Sequence, residues 1–431
     1  MKVLIGLREI SGYCTKLNTG LQSLGMDSTF VNLSTHAFKY ADGVQWPLIR
    51  LIRFCGQRYA AGSFFKLLWG GIYLALSAIL WVECLFRFDV FIFVFGTSFV
   101  QLYDLPVLKF FRKRVIFLFL GSDARPPYLN GAFIHEDDAA VATCIRRTRQ
   151  SKARIRWIER YADVVISLPT YGQFHEKPFV HYSVMGFPST TPLKTPTTTP
   201  LRDPDRVRIL HSPSNPILKG TPEIRQAIQR LQARGYAIDW IELTGQPNAV
   251  VLRELEQCDF IVDQLYADWP LPGFATEAAS MGKASIVAGY DLESLEQQIP
   301  AGFVPPVHIC HPDDIEAAIE KLIADRIYRL ELGQRAQMFV EQHWAISKLA
   351  ARFKKVIEDT IPEDWWYDPA QNQTAYLHGG GISEARLIPF LRAFLRQGSR
   401  TALQVSDKPA LEQQFVELAS AEHATRPHVQ N

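Results

Sequence analysis

What the 431-residue chain lacks narrows its possibilities first. It has no Cys-x-x-Cys pair; its six cysteines, at 14, 55, 84, 144, 258 and 310, are scattered through apolar segments. That argues against a zinc or disulfide framework and predicts reduced, mostly buried thiols in a cytoplasmic protein. It has no surplus of one charge: a net charge of +2 leaves no electrostatic footprint for nucleic acid. The N-terminus, MKVLIGLREISG, has no long apolar core behind its charge and reads as a first strand, not a signal peptide. No repeat of fixed short period is visible.

What is present describes a folded globular protein. Hydrophobic residues make up 47% and charged residues 21%. The length exceeds what one ordinary core organises, so two domains are expected. One uncharged run, Leu67–Val82, stands out between Lys66 and Glu83. As a helix it rises about 24 Å, short of the ~30 Å hydrocarbon core of a bilayer. It reads first as a buried helix of the first domain; a helix dipping into one leaflet and a true span are the alternatives.

Along the chain, short apolar runs alternate with helical patterns. Lys2–Leu7, Ser28–Leu33, Asp89–Phe95, Arg114–Leu120, Asp163–Leu168 and Phe179–Val184 read as strands of a first half. Ser189–Asp205, rich in Thr and Pro, reads as a linker. The alternation resumes with strands at 206–211, Ala237–Leu243, Asp259–Gln264 and Ala284–Gly289, separated by helices. Continuous apolar strands spaced by helices predict parallel sheets covered on both faces. The expected fold class is therefore α/β, with two Rossmann-like doubly wound domains, 1–188 and 206–361, facing a cleft. Residues 362–431 read as an extension that braces the first domain, through Trp365, Trp366 and Tyr367, or binds a partner.

Two strand-to-helix junctions carry the chemistry. The first is HSPSNPILKGT, from His211 to Thr221. Thr221 and Pro222 suit a helix start, whose free N–H groups and dipole attract anions. Lys219 adds a full charge and Gly220 allows close backbone approach, so the junction is a candidate phosphate site. The same pattern also serves as ordinary punctuation between elements. The second is DFIVDQLYADWPLPGFATEAASMGKASIV, from Asp259 to Val287. A helix begins at Gly273–Phe274, and Glu277 in its early turns can accept hydrogen bonds from a ribose diol or simply complement the dipole.

Together these segments resemble the donor-binding domain of GT-B glycosyltransferases, in particular the retaining family 4 group. The first half resembles that fold more loosely, through REISGYCTKLNTGLQSLG, DVFIFVFGTSF and KRVIFLFLGSDAR; the likeness covers roughly Lys2 to Thr360. The resemblance implies that Lys219 contacts a donor diphosphate and that Glu277 holds the nucleotide ribose. It places Gly273, Phe274 and Ala275 at the phosphates with Gly12, and Ser214, Asn215, Gly220 and Trp269 around the donor. It implies acceptor-side roles for Ser122, Asp123 and Arg125, with Lys219, Glu277 and Asp123 as the catalytic candidates. The chain departs from the pattern at Trp269, where the first glutamate of the family pair falls, with Asp268 one position off. It departs again at Asn215 and Pro216, where a basic residue is usual, and at Leu120, where a histidine is frequent.

The expected activity is transfer of a hexosyl-type sugar from a nucleotide sugar to a glycan or lipid-linked acceptor in cell-surface polysaccharide or glycolipid synthesis. Retention is implied by the resemblance alone. No cofactor or metal is expected. The cluster His135–Asp138 is a further general-base candidate or a solvated loop. Arg146–Arg160, with seven basic residues against one acidic, reads as a solvated helix or a contact for anionic headgroups, giving peripheral contact with the cytoplasmic membrane face. Rival readings are a decayed GT-B binding or scaffold protein and a nucleotide-sugar epimerase.

Overall fold

The computed structural model describes residues 1–33, 43–62, 65–135, 137–189, 206–371 and 376–421. The linker expected at 189–205 lies outside these residues apart from Ser189, as does Glu136 of the His135–Asp138 cluster.

The apolar runs become two sheets. The first holds β1 (Lys2–Leu7), β2 (Asp27–Asn32), β3 (Val90–Val94), β4 (Arg114–Leu118), β5 (Val164–Ser167) and β6 (Phe179–His181). The second holds β7 (Val207–His211), β8 (Ile238–Glu242), β9 (Phe260–Gln264), β10 (Ala284–Ala288) and β11 (His308–Cys310). All eleven pair in parallel, in the orders β6-β5-β4-β3-β1-β2 and β11-β10-β9-β7-β8. In β3, β5, β9 and β10 every residue is buried, as a sheet covered on both faces requires. Among the described residues none of the six cysteines forms a disulfide, and all but Cys310 are buried.

The α-helices of the first half are α1 (Tyr13–Ser23), α2 (Pro47–Ala60), α3 (Lys66–Arg87), α4 (Leu105–Phe110) and α5 (Asp138–Tyr161). Those that follow are α6 (Thr221–Ala233), α7 (Asn248–Gln257), α8 (Gly273–Ser280), α9 (Ile315–Ala324), α10 (Arg326–Phe339), α11 (Ile346–Ile357), α12 (Glu384–Gly398) and α13 (Pro409–Ser420). The expectation that Leu67–Val82 is a buried helix does not hold. The helix forms, extended to Lys66–Arg87, but only Ser77, Leu80, Cys84 and Leu85 of it are buried. Helix α2 covers its inner side and nothing described covers its outer side.

The chain returns to the first domain earlier than the sequence reading placed the end of the second, at residue 361. From the isolated bridge between Ser189 and Ala345, α11 runs back along α1. Gly20 makes that approach possible, because a Cβ there would lie 2.8 Å from Ala350 and from Ile346. A two-residue strand, β12 (Trp366–Tyr367), then pairs antiparallel with β6, so the aromatic cluster adds a seventh strand to the first sheet.

Farther on, α12 packs on α5 and α13 on α12. Lys152 of α5 is buried among Glu176 at 2.7 Å, Asp407 at 3.1 Å and the Phe174 carbonyl at 3.1 Å. Arg154 donates to the Asp123 carbonyl, and Arg156 pairs with Glu176 at 2.6 Å. The basic helix is therefore partly an internal anchor for the tail. Its cations at these three positions hold protein carboxylates and carbonyls, which leaves them poorly placed for headgroups.

A tight joint lies between Gly186 and Trp344. Trp344 is fully buried and its indole N–H donates to the Ser183 carbonyl at 3.1 Å. Gly186 has φ +71°, and a Cβ on it would lie 2.1 Å from the Trp344 ring. Gly25 has a similar φ of +76° with nothing within 4 Å. Gly186→Ala is therefore expected to destabilise the protein by about 3 kcal/mol or more, from overpacking added to left-handed strain. Gly25→Ala carries the backbone term alone, about 1 kcal/mol. Denaturant melts of the two variants check this, and equal losses would contradict it.

Candidate functional site

In each sheet the chain order reverses beside one strand. Strand β1 lies between β2 and β3, and β7 lies between β8 and β9. Loops leaving the carboxyl ends of two such strands open a crevice, because the connections on either side depart to opposite faces. Here the two crevices meet. A cavity of about 350 Å³ is lined from the first half by Ser11 and Phe187. From the second half it is lined by Ser212, Pro213, Ser214, Lys219, Gly245, Gln246, Asn248, Val251, Asp263, Pro272, Gly273, Phe274 and Glu277. A neighbouring cavity of about 260 Å³ shares Ser11, Phe187, Lys219, Pro272 and Gly273 and adds, among others, Ser122, Arg125, Tyr171, Gln264, Asp268 and Trp269.

Local folding explains how the key groups arrive there. After β7, Asn215 accepts the amides of Ile217 and Leu218, at 3.1 and 3.2 Å, and so starts a single helical turn, Pro216–Lys219. Gly220 ends that turn in the left-handed region (φ +69°). A Cβ at Gly220 would lie 2.4 Å from Leu265, so only glycine lets the turn sit against the start of the β9 loop. Lys219 is thereby aimed across the end of β9, where its ammonium contacts Gln264 and lies 3.7 Å from Asp263. On the other side of β9, α8 begins at Gly273, and its Ala275 amide donates to Asp263 at 3.3 Å. A lysine, a carboxylate and a helix N-terminus thus converge on one wall.

Glu277 stands one turn into α8. It accepts from the Asn248 amide at 3.1 Å. Burial raises its pKa, while Asn248 and the ammonium of Lys16 pull it back. Lys16 comes from α1 and lies over the Phe187 ring at 5.6 Å. Burial lowers its own pKa, against the attraction of Glu277 and Glu9. The facing of Lys16 and Glu277 joins the two halves, and nothing in the local sequence around Lys16 marks it. Glu9 below it is buried and caps α1 by accepting the amides of Cys14 and Thr15, each at 3.0 Å.

A second link crosses the floor of the smaller cavity. Arg125 and Asp268 form a buried ion pair, with Arg125 Nε 2.6 Å from Asp268 Oδ2. Burial alone would lower the arginine's pKa, but Asp268 outweighs it and the net shift is upward. The Tyr171 ring lies under the guanidinium at 5.0 Å. The tail closes over this pair. Gly380 packs so tightly that a Cβ would lie 2.5 Å from Arg125 and 2.7 Å from Asp268. Gly380 N–H donates to the Leu129 carbonyl at 2.9 Å and Gly381 N–H to that of Tyr266 at 2.9 Å, one contact in each half. The GGG run in the sequence was the one available signal for this strap.

The predicted site residues therefore separate by position. Ser214, Lys219, Gly273, Phe274 and Glu277 line the larger cavity, and Ser122, Arg125 and Trp269 line the smaller. Gly12 lies one residue beyond the lining Ser11, where its φ of +77° starts α1. Asn215 and Gly220 shape the Lys219 turn, and Ala275 is turned to Asp263. Asp123 lines neither cavity: its Oδ1 accepts the Leu120 amide at 3.0 Å, inside its own loop. That position does not suit a general base acting in the cleft. Sequence reasoning missed Lys16, Phe187, Asn248 and Asp263, which meet the site only through the fold.

No protein-family model matches the chain, and no curated protein matches its sequence. Among solved structures, an apo structure of OtsA aligns over 84% of this chain and 99% of its own, at 10% identity and a TM-score of 0.51. HepE of Anabaena in complex with UDP and glucose aligns over 83% of this chain and 100% of its own, at 11% identity and a TM-score of 0.48. An α,α-trehalose 6-phosphate synthase of Burkholderia multivorans aligns over 83% and 96%, at 10% and 0.48. The likeness is one of architecture: the chain has the GT-B fold, two Rossmann-like parallel-sheet domains about a cleft.

Asp123 offers a test of this geometry through pH. Its Oδ2 is buried without a hydrogen-bond partner, and burial pushes the pKa from 3.8 up to about 6. The folded state therefore holds the proton more tightly than the unfolded state, so stability is lost as pH rises between those values and stays lost above them. Asp123→Asn removes that dependence. The stability of the variant relative to the parent is expected to rise by about 2 kcal/mol between about pH 4 and pH 7. Urea melts across that range check it, and a flat difference would contradict the burial of this carboxyl.

Proposed function

We propose that the interdomain cavity binds a nucleotide sugar and that the protein transfers the sugar to an acceptor entering from the first domain. The observation that carries this reading is the convergence of Lys219, the N-terminus of α8 and Glu277 on one 350 Å³ cavity between two facing switch points. An ammonium group and free helix amides suit a diphosphate. A half-buried carboxylate beyond them suits a ribose diol. The smaller cavity adjoining Lys219 is placed to take the sugar.

In the reaction the bond from the anomeric carbon to the diphosphate breaks and a bond to the acceptor oxygen forms, and the acceptor's proton leaves. Negative charge grows on the departing nucleoside diphosphate while the sugar passes through an oxocarbenium-like state. Lys219 and the first turn of α8 stabilise that charge, pre-oriented by Gln264, Asp263 and the Asn215 cap. Lys219 supplies the cation in this reading and no step is assigned to a metal. Transfer of a hexosyl group, with retention, to a glycan or lipid-linked acceptor in cell-surface polysaccharide or glycolipid synthesis is the finer form of the proposal, and it rests on the sequence resemblance.

One observation favours a second reading. Asp263 already occupies the positive end of α8 beside Lys219, and Asp268 is tied to Arg125 rather than free near the sugar position. A diphosphate must displace or outcompete the Asp263 contacts, which fits a protein that binds a nucleotide sugar without turning it over. Incubation with radiolabelled UDP- and GDP-sugars, followed by product analysis, separates the two: release or transfer of sugar supports the enzyme, and protection without turnover supports the binder.

Lys219→Ala is expected to weaken donor binding about ten- to a hundredfold, the loss of one charge-assisted hydrogen-bond partner. Glu277→Gln is expected to cost about tenfold through the ribose. Neither should lower the melting temperature of the empty protein appreciably. Calorimetric titration with UDP- and GDP-sugars checks both, and unchanged affinity in Lys219→Ala would overturn the donor-site assignment.

A further inference from the structure

We infer that the outer face of α3 is a docking surface for a bilayer containing anionic phospholipid. Helix α3 is long and apolar enough to cross a membrane, yet one side of it is fixed to the domain through Leu80, Cys84 and Leu85. A helix held in this way lies along a surface and does not thread through it. Its 22 residues extend about 33 Å. The face turned outward runs through Leu67, Gly71, Leu74, Ala75, Ile79, Val82 and Phe86 at helical spacing and carries no charge. Leu67 is 89% exposed and Phe86 72%. The stripe continues past the helix: Phe86 meets Phe111 at 5.9 Å, Phe111 meets Phe110 at 5.4 Å, and Phe110 is 82% exposed.

The rim identifies the partner. Residues 45–115 contain nine Lys and Arg against three Asp and Glu in a chain whose total is nearly balanced; of the nine, Lys109 is held by Asp163 at 2.6 Å, Arg114 by Asp359 at 2.7 Å and Arg53 by the Asn32 carbonyl at 2.9 Å, which leaves the others for the rim. Glu83, beside the stripe, is paired with Arg87 at 3.6 Å. Three of the cations sit on aromatic rings at the edges of the helix pair: Arg58 over Phe54, Lys66 over Tyr59 and Arg87 over Trp46. Arg112 and Lys113 follow the exposed phenylalanines. Aliphatic centre, aromatic edge and positive rim form the sequence of layers a protein meets from acyl chains to anionic headgroups. A protein interface of this extent would be expected to carry hydrogen-bonding groups across it, and the α3 stripe presents only hydrocarbon.

Position adds a reason. Tyr73 and Leu74 of α3 also line a cavity of about 400 Å³ with Arg8, Arg154 and residues from the carboxyl ends of β1 and β3. A bilayer on α3 therefore lies beside the cleft-facing edge of the first sheet. The docking inference itself stands on α3 and does not require the donor reading.

The test uses the full chain and vesicles of phosphatidylcholine with or without phosphatidylglycerol. Flotation is expected with the anionic vesicles and little with phosphatidylcholine alone. Leu67→Glu combined with Ile79→Glu should abolish flotation while leaving the melting temperature unchanged, because both side chains are exposed. If that pair unfolds the protein, Phe110→Glu, outside the helix pair, should weaken flotation instead. Arg112→Ala with Lys113→Ala should weaken binding to anionic vesicles about tenfold or more. The proposal is overturned if the parent floats with neither vesicle, if it floats equally with both, or if the glutamate variants float as it does. It is also overturned if light scattering shows a dimer that the glutamate pair dissociates, since a second copy would then cover the face.

Discussion

The fold depends on one geometric constraint: two separate sheets must present their switch points to the same crevice. Each sheet alone offers half of a ligand site, a loop after β1 in one and the Lys219 turn after β7 in the other. What fixes them together is the return of the chain through Ala345, Trp344 against Gly186, and α11 along α1. Added to this are the Arg125–Asp268 pair across the floor and the strap through Gly380 and Gly381, which bonds to one carbonyl in each half. The return of the chain is mostly apolar packing, whereas the Arg125–Asp268 pair and the strap's backbone bonds are polar and specify a relative orientation as well as contributing stability.

Within that frame the electrostatics of the cavity are those of an anion site held partly in check. Lys219 is preorganised by Gln264 and Asp263, and the positive end of α8 is answered by Asp263. Glu277 is half-buried and faces Lys16 from the opposite domain. An incoming diphosphate would find its cation and helix amides in place but would have to rearrange their present partners. This arrangement links ligand affinity to a local change at the end of β9, and the attraction between Lys16 and Glu277 acts across the two domains.

Much of the architecture was legible in the sequence because fully apolar strands between helical runs admit few arrangements, and β1, β3, β4, β9 and β10 lie within a residue or two of their expected bounds. The Lys219 junction was legible because Thr221 and Pro222 signal a helix start and Gly220 a close approach, whereas the Asn215-capped turn before them was not read. Three things were not. Lys16 and Asn248 meet Glu277 only through tertiary contacts, and α1 looks the same in sequence whether or not Lys16 faces the cleft. Asp123 follows a strand end, as a cleft residue would, but its carboxyl turns back to the Leu120 amide, a choice made by loop geometry. The uncharged Leu67–Val82 run has the composition of a core helix. Its exposure follows from the position of α2, which covers one side only.

The central claim is that a nucleotide sugar's diphosphate lies between Lys219 and the start of α8. A crystal structure of the protein with a bound UDP- or GDP-sugar tests it most directly. The account predicts the diphosphate against the Lys219 ammonium and the Gly273 and Phe274 amides, with the ribose hydroxyls on Glu277. Nucleotide bound elsewhere, or a cavity in which Lys219 keeps Gln264 as its partner while the ligand occupies another surface, would contradict it.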